Sequence, residues 1–305
     1  MDEVGEARAA RHGTKHGTKH GMPEELVWAE QAAALDHSAA LLAPLDVAAA
    51  DWLQPPAGGT VADVGCGAGG MTVVLAERVG AGGVVYAVDG EPALLDLARR
   101  RAAARGVAAW TRVVKADLEG DENLATTITE AVDLIWAAHV VHHLPDQQAG
   151  IDRLARLLRP GGRLALAEGG FPPVTLPWDL GVGAPGLEAR LRAAEDAWFG
   201  DLRASMPGVV GAPHGWPVLL AAAGLVEVTA RSFLLDRPAP LGEDDRDFVV
   251  HSLGKRVERV GERLDGDDRA AWSRLLDRDG PDWVGRRADL YLLSVRTVHV
   301  GRRPA

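Results

Sequence analysis

A glycine-rich segment directly after a short apolar run most restricts how this chain can fold. Residues 61–70 read VADVGCGAGG, with Gly65, Gly67 and Gly69 at alternate positions. This pattern predicts a buried strand, a tight turn and the start of a helix. Glycine serves where backbone dihedrals are unusual or where a ligand leaves no room for a Cβ atom. The exposed N–H groups at the helix start favour an electron-rich ligand group.

The same segment also fits the dinucleotide fingerprint G-x-G-x-x-G, through Gly65, Gly67 and Gly70. That motif is weak by itself. It leaves three interpretations open: a nicotinamide cofactor, another nucleoside ligand, and a turn that binds nothing.

Composition restricts the class of protein. The 305 residues, 47% of them hydrophobic, suit one large α/β domain or a domain with a cap. A net charge of −10 argues against a nucleic-acid partner. We find no signal peptide and no membrane-length apolar run, and the single cysteine, Cys66, excludes an internal disulfide. These features predict a cytoplasmic protein without a membrane partner, in which Cys66 is a packing residue rather than a nucleophile.

Strands and helices alternate through the first half of the chain, which predicts a doubly wound parallel sheet. Beyond the glycine turn, we predict strands at 84–89, 110–116, 132–138 and 163–168. Helices are predicted at 71–79 and 147–158, and RPGG at 159–162 predicts a turn. Residues 23–53 form one or two helices, interrupted near Pro44.

Acidic residues close two of these strands. Asp89 follows the glycines by about twenty residues, where a carboxylate can accept hydrogen bonds from both ribose hydroxyls. Asp117 can accept from the amine of adenine. A helix N-cap at Asp89 and an ordinary turn aspartate at Asp117 are the alternatives.

Together with Asp63, HVVHHLPD after the fourth strand and LLRPGGRLAL around the fifth, these motifs resemble class I S-adenosylmethionine-dependent methyltransferases. The ubiquinone and menaquinone biosynthesis enzymes are the most similar branch. The resemblance covers about residues 50–170 and the last strands. It implies a Rossmann-like α/β fold whose seven strands follow the order 3-2-1-4-5-7-6, the last one antiparallel.

The resemblance also implies S-adenosylmethionine as the cofactor and S-adenosylhomocysteine as the product. The glycines approach the methionine part, and the acid on the first strand steers its ammonium. The acids after the second and third strands hold ribose and adenine, and residues after the fourth flank the sulfonium. The predicted cofactor-binding residues are Asp63, Gly65, Cys66, Gly67, Gly69, Asp89, Gly90, Ala116, Asp117, Leu118, Ala138 and His139.

Four regions follow from this comparison. Residues 1–22 form a disordered His/Gly-rich tail, and 23–170 form the cofactor-binding core with its N-terminal helices. Residues 171–215 form a cap insertion whose first part is too irregular for a strand. Residues 216–305 complete the sheet and carry a helical insertion at about 244–280. That insertion could be part of a lid, a homodimer surface or a solvated protrusion.

Methyl transfer to a hydroxyl or amine can need a base that removes a proton. His139 is the first candidate, because it is nearest the expected sulfonium, and His142 and Glu168 follow. His143 and His214 are further candidates. The alternative is that His142 and His143 cap or pack the next helix. No metal-ligand cluster accompanies the fifth strand, so we predict metal-independent transfer.

Cap aromatics suggest an apolar or aromatic small-molecule acceptor, methylated on oxygen or nitrogen rather than carbon. They are Phe171, Trp178, Trp198, Phe199 and Trp216. Two alternatives are an NAD-dependent oxidoreductase and a non-catalytic adenosylmethionine-binding protein.

Overall fold

The structure is a computed structural model that describes residues 24–118 and 124–305, so the predicted tail at 1–22 lies outside it. The strands are β1 (Thr60–Val64), β2 (Val84–Asp89), β3 (Thr111–Lys115), β4 (Val132–Ala138), β5 (Leu158–Val174), β6 (Val226–Arg237) and β7 (Leu292–Arg302). They form one sheet in the order β3-β2-β1-β4-β5-β7-β6. All pairs of neighbouring strands among β1 to β5 are parallel, and β7 runs antiparallel to both of its neighbours, β5 and β6. The predicted Rossmann-like fold and strand order are confirmed.

Helices cover the sheet and are, in chain order, α1 (Glu24–Leu53), α2 (Gly70–Val79), α3 (Pro92–Ala104), α4 (Leu124–Thr127), α5 (Gln147–Leu157), α6 (Leu187–Ala204), α7 (Trp216–Ala222), α8 (Glu243–Val260) and α9 (Gly266–Leu276). Side chains that cap the backbone fix the first residue of several helices. The Asp146 side chain accepts from the Ala149 N–H at 2.9 Å before α5, and Asp265 caps α9 in the same way. Within the described residues, no helix has both the length and the apolar character that crossing a bilayer requires.

Two hydrophobic cores lie on opposite faces of the sheet, because successive strand residues point to opposite sides. Val61 belongs to a core with α1 and α2, whereas Ala62 belongs to a core with α5 and α7. The crossing helices therefore bury both faces and leave the carboxyl ends of β1–β4 open. That open edge is where doubly wound sheets bind their ligands.

Two predictions about the path of the chain were wrong. First, α1 continues through Pro44, because Leu41, Leu45 and Ala49 on its inner side are buried and hold both halves in place. Second, β5 runs through 159–162 and on to Val174.

The extension of β5 explains why residues 169–174 are extended despite their irregular sequence. Gly170 pairs with Arg296 and Val174 pairs with Leu293, both antiparallel on β7. The two prolines fall at a register shift between these pairs, where a missing N–H interrupts no ladder. At 159–162, where a turn was predicted, β5 has a similar register shift against β4 and remains part of the strand.

Helices α8 and α9, between β6 and β7, are integral to the core on the α1 side of the sheet. Leu253 and Trp272 are fully buried in the same cluster as strand residues. Arg256 on α8 forms ion pairs with Glu188 and Glu195 on α6, both at 2.9 Å. A solvated protrusion, one of the three interpretations of this insertion, does not describe these helices.

Truncating Trp272 to alanine tests this packing. We expect Trp272→Ala to lower the free energy of unfolding by about 3–5 kcal/mol, the usual cost of removing a buried tryptophan. Urea denaturation followed by circular dichroism measures this. The control is Arg274→Ala, on the same helix as Trp272, which removes an exposed ion pair with Asp282 beyond the end of α9 and should change the free energy of unfolding by about 0.5 kcal/mol or less. An equally small loss for Trp272→Ala would contradict the packing.

Candidate functional site

A cavity of about 400 Å³ opens at the carboxyl ends of β1–β4. Apolar side chains such as Val88 and Leu144 form part of its wall. Eight of the twelve predicted cofactor residues also line it, namely Gly65, Asp89, Gly90, Ala116, Asp117, Leu118, Ala138 and His139. The carboxylates therefore lie at the strand ends beside an apolar surface, which suits a nucleoside with polar sugar hydroxyls.

The other four predicted residues, Asp63, Cys66, Gly67 and Gly69, are not among those that line this cavity. Cys66 is buried against Leu95 and Ala98 under the turn, and burial raises the pKa of its thiol. Gly67 and Gly69 have left-handed backbones, with φ of 53° and 79°. These two glycines shape the turn through their backbone conformation.

The glycine turn needs its glycines for packing as well as for backbone conformation. A Cβ atom at Gly65 would lie 2.1 Å from a methyl group of Val140, and one at Gly69 would lie 2.9 Å from Ala98. Arg101 on α3 donates to the carbonyl of Ala68 at 2.8 Å. The turn is thus clamped between the loop after β4 and helix α3.

Asp89 holds the other side of this turn. Its Oδ2 accepts from the Gly67 N–H at 2.9 Å, and its Oδ1 accepts from the Glu91 N–H at 3.0 Å. Each carboxylate oxygen can still accept a second hydrogen bond. The side chain lines the cavity in an orientation fixed by the backbone, which fits the grip on ribose hydroxyls implied by the sequence.

Asp63 is a buried carboxyl group behind the turn. Thr72 donates its hydroxyl proton to Asp63 Oδ2 at 2.5 Å. Burial raises the pKa of Asp63 to about 7, and the neighbouring charges of Asp46 and Asp89 add to the rise. A cation bound at this edge would favour the ionised form, so the carboxyl fits a positively charged ligand such as adenosylmethionine.

A second cavity, of about 520 Å³, adjoins the first. His139 lines both cavities and so stands at their junction. The wall of the second cavity is largely apolar, with a few polar groups. Its apolar and aromatic side chains are Leu42, Leu45, Phe171, Phe199 and Trp216; its polar ones include His142, Glu168, Ser294 and Arg296.

His139 has a strained backbone, with φ of 55°, which is uncommon for a residue with a side chain. Its N–H donates to the carbonyl of Ala167 on β5 at 3.3 Å, which helps to hold this conformation. Loss of hydration lowers the pKa of His139, although the side chain stays exposed at the cavity mouth. Such strain clusters at functional sites.

His142 and Glu168 form a hydrogen-bonded dyad in the second cavity. His142 Nδ1 lies 2.7 Å from Glu168 Oε2, while Glu168 Oε1 accepts from the N–H groups of Val140 and Val141 at 2.9 and 2.8 Å. Burial favours a raised pKa for Glu168, but these partners outweigh it and lower the pKa. Glu168 is therefore an anchored carboxylate that orients the imidazole.

His139, His142 and Glu168 also offer donor atoms within 4.8 Å of one another, a spacing that a metal ion could occupy. The hydrogen bonds of Glu168 already account for both of its oxygens without one. The expectation that no metal-ligand cluster accompanies the fifth strand was therefore wrong, because the fold brings two histidines of the loop after β4 to Glu168 on β5. Metal independence itself stays a prediction.

The remaining candidates are divided between the two cavities and the surface. His143 lines the first cavity, and desolvation lowers its pKa, with a smaller effect from His142. His214 is exposed and lines neither cavity. Trp178 is 71% exposed, and Trp198 packs under Arg259, so neither lines the second cavity.

Sequence reasoning missed the contribution of β7 to the second cavity, and it left open whether the N-terminal helices lie over the ligand site or only pack on the sheet. Arg296 lies on β7 in phase with Leu292 and Val298, which are buried. A charged residue in phase with buried positions of a strand was the available signal. The leucines of α1 carried no comparable signal, because a helix rich in alanine and leucine has many such positions.

Comparisons with known proteins agree with this geometry. Residues 62–166 match the family model described as "Methyltransferase domain". Nocamycin O-methyltransferase of Saccharothrix syringae is 34% identical over 234 residues, which are 75% of this chain and 80% of that protein.

Two further relatives match a smaller part. Aklanonic acid methyltransferase DauC of a Streptomyces species is 31% identical over 42% of this chain and 56% of its own length. A ubiquinone biosynthesis O-methyltransferase of Xanthomonas axonopodis is 38% identical over 37% of this chain and 44% of its own length. The chain thus spans about half the length of these two relatives. With the extensive match to the first relative, these findings show that the chain belongs to the class I S-adenosylmethionine-dependent methyltransferases.

Proposed function

We propose that the protein transfers the methyl group of S-adenosylmethionine to an oxygen of an apolar, aromatic small molecule. The observation that carries this proposal is the junction at His139, where a nucleoside-sized cavity meets a second cavity walled by Phe199 and Trp216. Transfer between two bound molecules requires this side-by-side arrangement. The names of the nocamycin and ubiquinone biosynthesis relatives both specify O-methyl transfer, which supports oxygen over nitrogen or carbon.

When bound, adenosylmethionine supplies a methyl group already activated by the sulfonium, so the chain chiefly positions the partners. The glycine turn, Asp89 and Asp117 hold the nucleoside, while the aromatic wall binds the acceptor and excludes water. With Nδ1 hydrogen-bonded to Glu168, His142 uses Nε2 to accept the proton of the acceptor hydroxyl. Glu168 fixes the tautomer and orientation of that imidazole.

The sequence alternatives are not favoured. An NAD-dependent oxidoreductase shares the glycine turn, but the family match and the named relatives are methyltransferases. The same relatives disfavour a binding protein without activity. The predicted homodimer and cytoplasmic location remain predictions.

Removing the Asp89 carboxylate should weaken the cofactor site. We expect Asp89→Ala to bind S-adenosylhomocysteine at least about tenfold more weakly, because a hydrogen bond to a charged group contributes about 1.5–3 kcal/mol. Calorimetric titration measures the affinity, and the melting temperature verifies that the variant is folded. Asp96→Ala, at an exposed acid of α3 paired with Arg99, is the control. Unchanged affinity in a folded Asp89→Ala protein would refute the ribose assignment.

Cofactor affinity should depend on pH through Asp63. Its pKa of about 7 leaves the carboxyl mostly protonated at pH 6 and mostly ionised at pH 8. Because the ligand is a cation, adenosylmethionine should bind up to about tenfold more tightly at the higher pH. Calorimetry across this range tests the sign, and Asp63→Asn should flatten the profile. A wild-type affinity that falls as pH rises would exclude this role.

The dyad should act on turnover rather than on cofactor binding. With a panel of hydroxylated aromatic acceptors, we expect His142→Gln to lower kcat by about 100-fold or more, since a positioned base contributes about 10²–10⁴-fold. Glu168→Gln should also lower kcat, whereas His214→Gln, outside both cavities, should not. Release of S-adenosylhomocysteine measures the rate. Wild-type turnover in His142→Gln would rule out the base.

A further inference from the structure

We infer that Arg296 makes this an enzyme for acidic acceptors: its guanidinium binds a carboxylate, or an equally acidic group, on the molecule that receives the methyl. This inference rests on the proposed function, because it concerns the acceptor cavity of that same site. It adds an acidic group to the apolar, aromatic acceptor of that proposal.

Arg296 is an arginine that the fold has placed in an apolar cavity rather than at the surface. It is 9% exposed, and it lines the second cavity together with Leu42 and Leu45 of α1. Its strand position pairs with Gly170 on one side and Phe233 on the other, so the backbone is fixed by both neighbouring strands. A buried charge of this kind needs hydrogen-bond partners, so the groups that contact it indicate whether a ligand also binds there.

The guanidinium is incompletely satisfied within the described part of the chain. Nη1 donates to Asp46 Oδ1 on α1, and this is its one hydrogen-bond partner there. Nε and Nη2 have no partner among those residues, yet neither is a fully enclosed atom. Both atoms are therefore at least partly accessible, and Arg296 lines the second cavity. Unused donors in a planar fork match a carboxylate, which accepts two parallel hydrogen bonds.

The charges around Arg296 leave room for an anion. Burial raises the pKa of Asp46, although the charge of Arg296 opposes the rise, so the pair is neutral or positive and never negative. Glu168, the carboxylate among the residues that line this cavity, is matched by His142 and two backbone N–H groups. An acidic acceptor would thus meet a free guanidinium face rather than an uncompensated carboxylate.

Arg296 lines the same cavity as His139, the residue at the junction with the first cavity. The charge of Arg296 also contributes to the lowered pKa of His139. An acid held on Arg296 would therefore orient the acceptor relative to that junction. We assign Arg296 a positioning and specificity role, while His142 keeps the role of base.

Binding of matched aromatic ligands tests the inference without knowledge of the natural acceptor. The probes are 2-naphthoate and 1-naphthoate with their amides, titrated by calorimetry into protein saturated with S-adenosylhomocysteine. We expect the wild type to bind the carboxylates about 10- to 100-fold more tightly than the amides, the usual range for charge-assisted hydrogen bonds. Arg296→Gln should abolish that preference and leave amide affinity unchanged.

Three further variants keep the test decisive if Arg296→Gln folds poorly. Arg296→Lys retains the charge beside Asp46 but loses the fork, so the preference should shrink without disappearing. Asp46→Asn frees Nη1 and should strengthen carboxylate binding. Arg302→Gln, on the same strand and ion-paired with Glu227 away from the cavity, should keep the wild-type preference.

Two outcomes would overturn the inference. One is a wild type that binds the amides as well as the carboxylates, or binds neither. The other is a carboxylate preference that survives in folded Arg296→Gln. Affinity for S-adenosylhomocysteine, measured in the same samples, separates this failure from failure of the proposed function, which would abolish cofactor binding or methyl transfer itself.

Discussion

The hydrogen bonds of Glu168 hold the loop after β4 in the conformation on which both cavities depend. One carboxylate oxygen accepts from two consecutive N–H groups of that loop, and the other contacts His142. The loop in turn presses Val140 against Gly65, where any Cβ atom would collide. It also places His139 between the cavities with a strained backbone. One buried carboxylate thereby couples the glycine turn, the cavity junction and the imidazole dyad.

The ion pair between Asp46 and Arg296 joins α1 to β7 beside the second cavity. It holds the part of α1 that carries Leu42 and Leu45 beside the strand that carries Arg296. The first helix and the last strand therefore both contribute to this cavity, although the two paired residues are 250 positions apart in sequence. Because α8 and α9 pack into the same core, the inserted helices support this wall.

Much of the fold could be predicted, because local pattern and tertiary environment agree in the first half of the chain. The predicted limits of β2 and β4 are those observed, since both are largely apolar runs, of which β2 ends on Asp89 and β4 ends before His139. Prediction failed where the conformation of a segment depends on its contacts with other parts of the chain. Residues 169–174 are extended because β7 pairs with them, and α1 passes Pro44 because buried leucines on both sides hold it. The structural propensity of each segment by itself does not reflect these contacts.

The sequence by itself determined the glycine turn and the acids at the strand ends, because their spacing along the chain fixes their positions in a doubly wound sheet, whereas the strand order followed from the resemblance to a known family. Eight predicted residues consequently meet around one cavity. The tertiary structure alone decided which histidine received a carboxylate partner, since His142 and Glu168 come from different strand ends. It also decided that Arg296, on the last strand, would line the second cavity. Such meetings depend on packing between distant segments, and no local pattern encodes them.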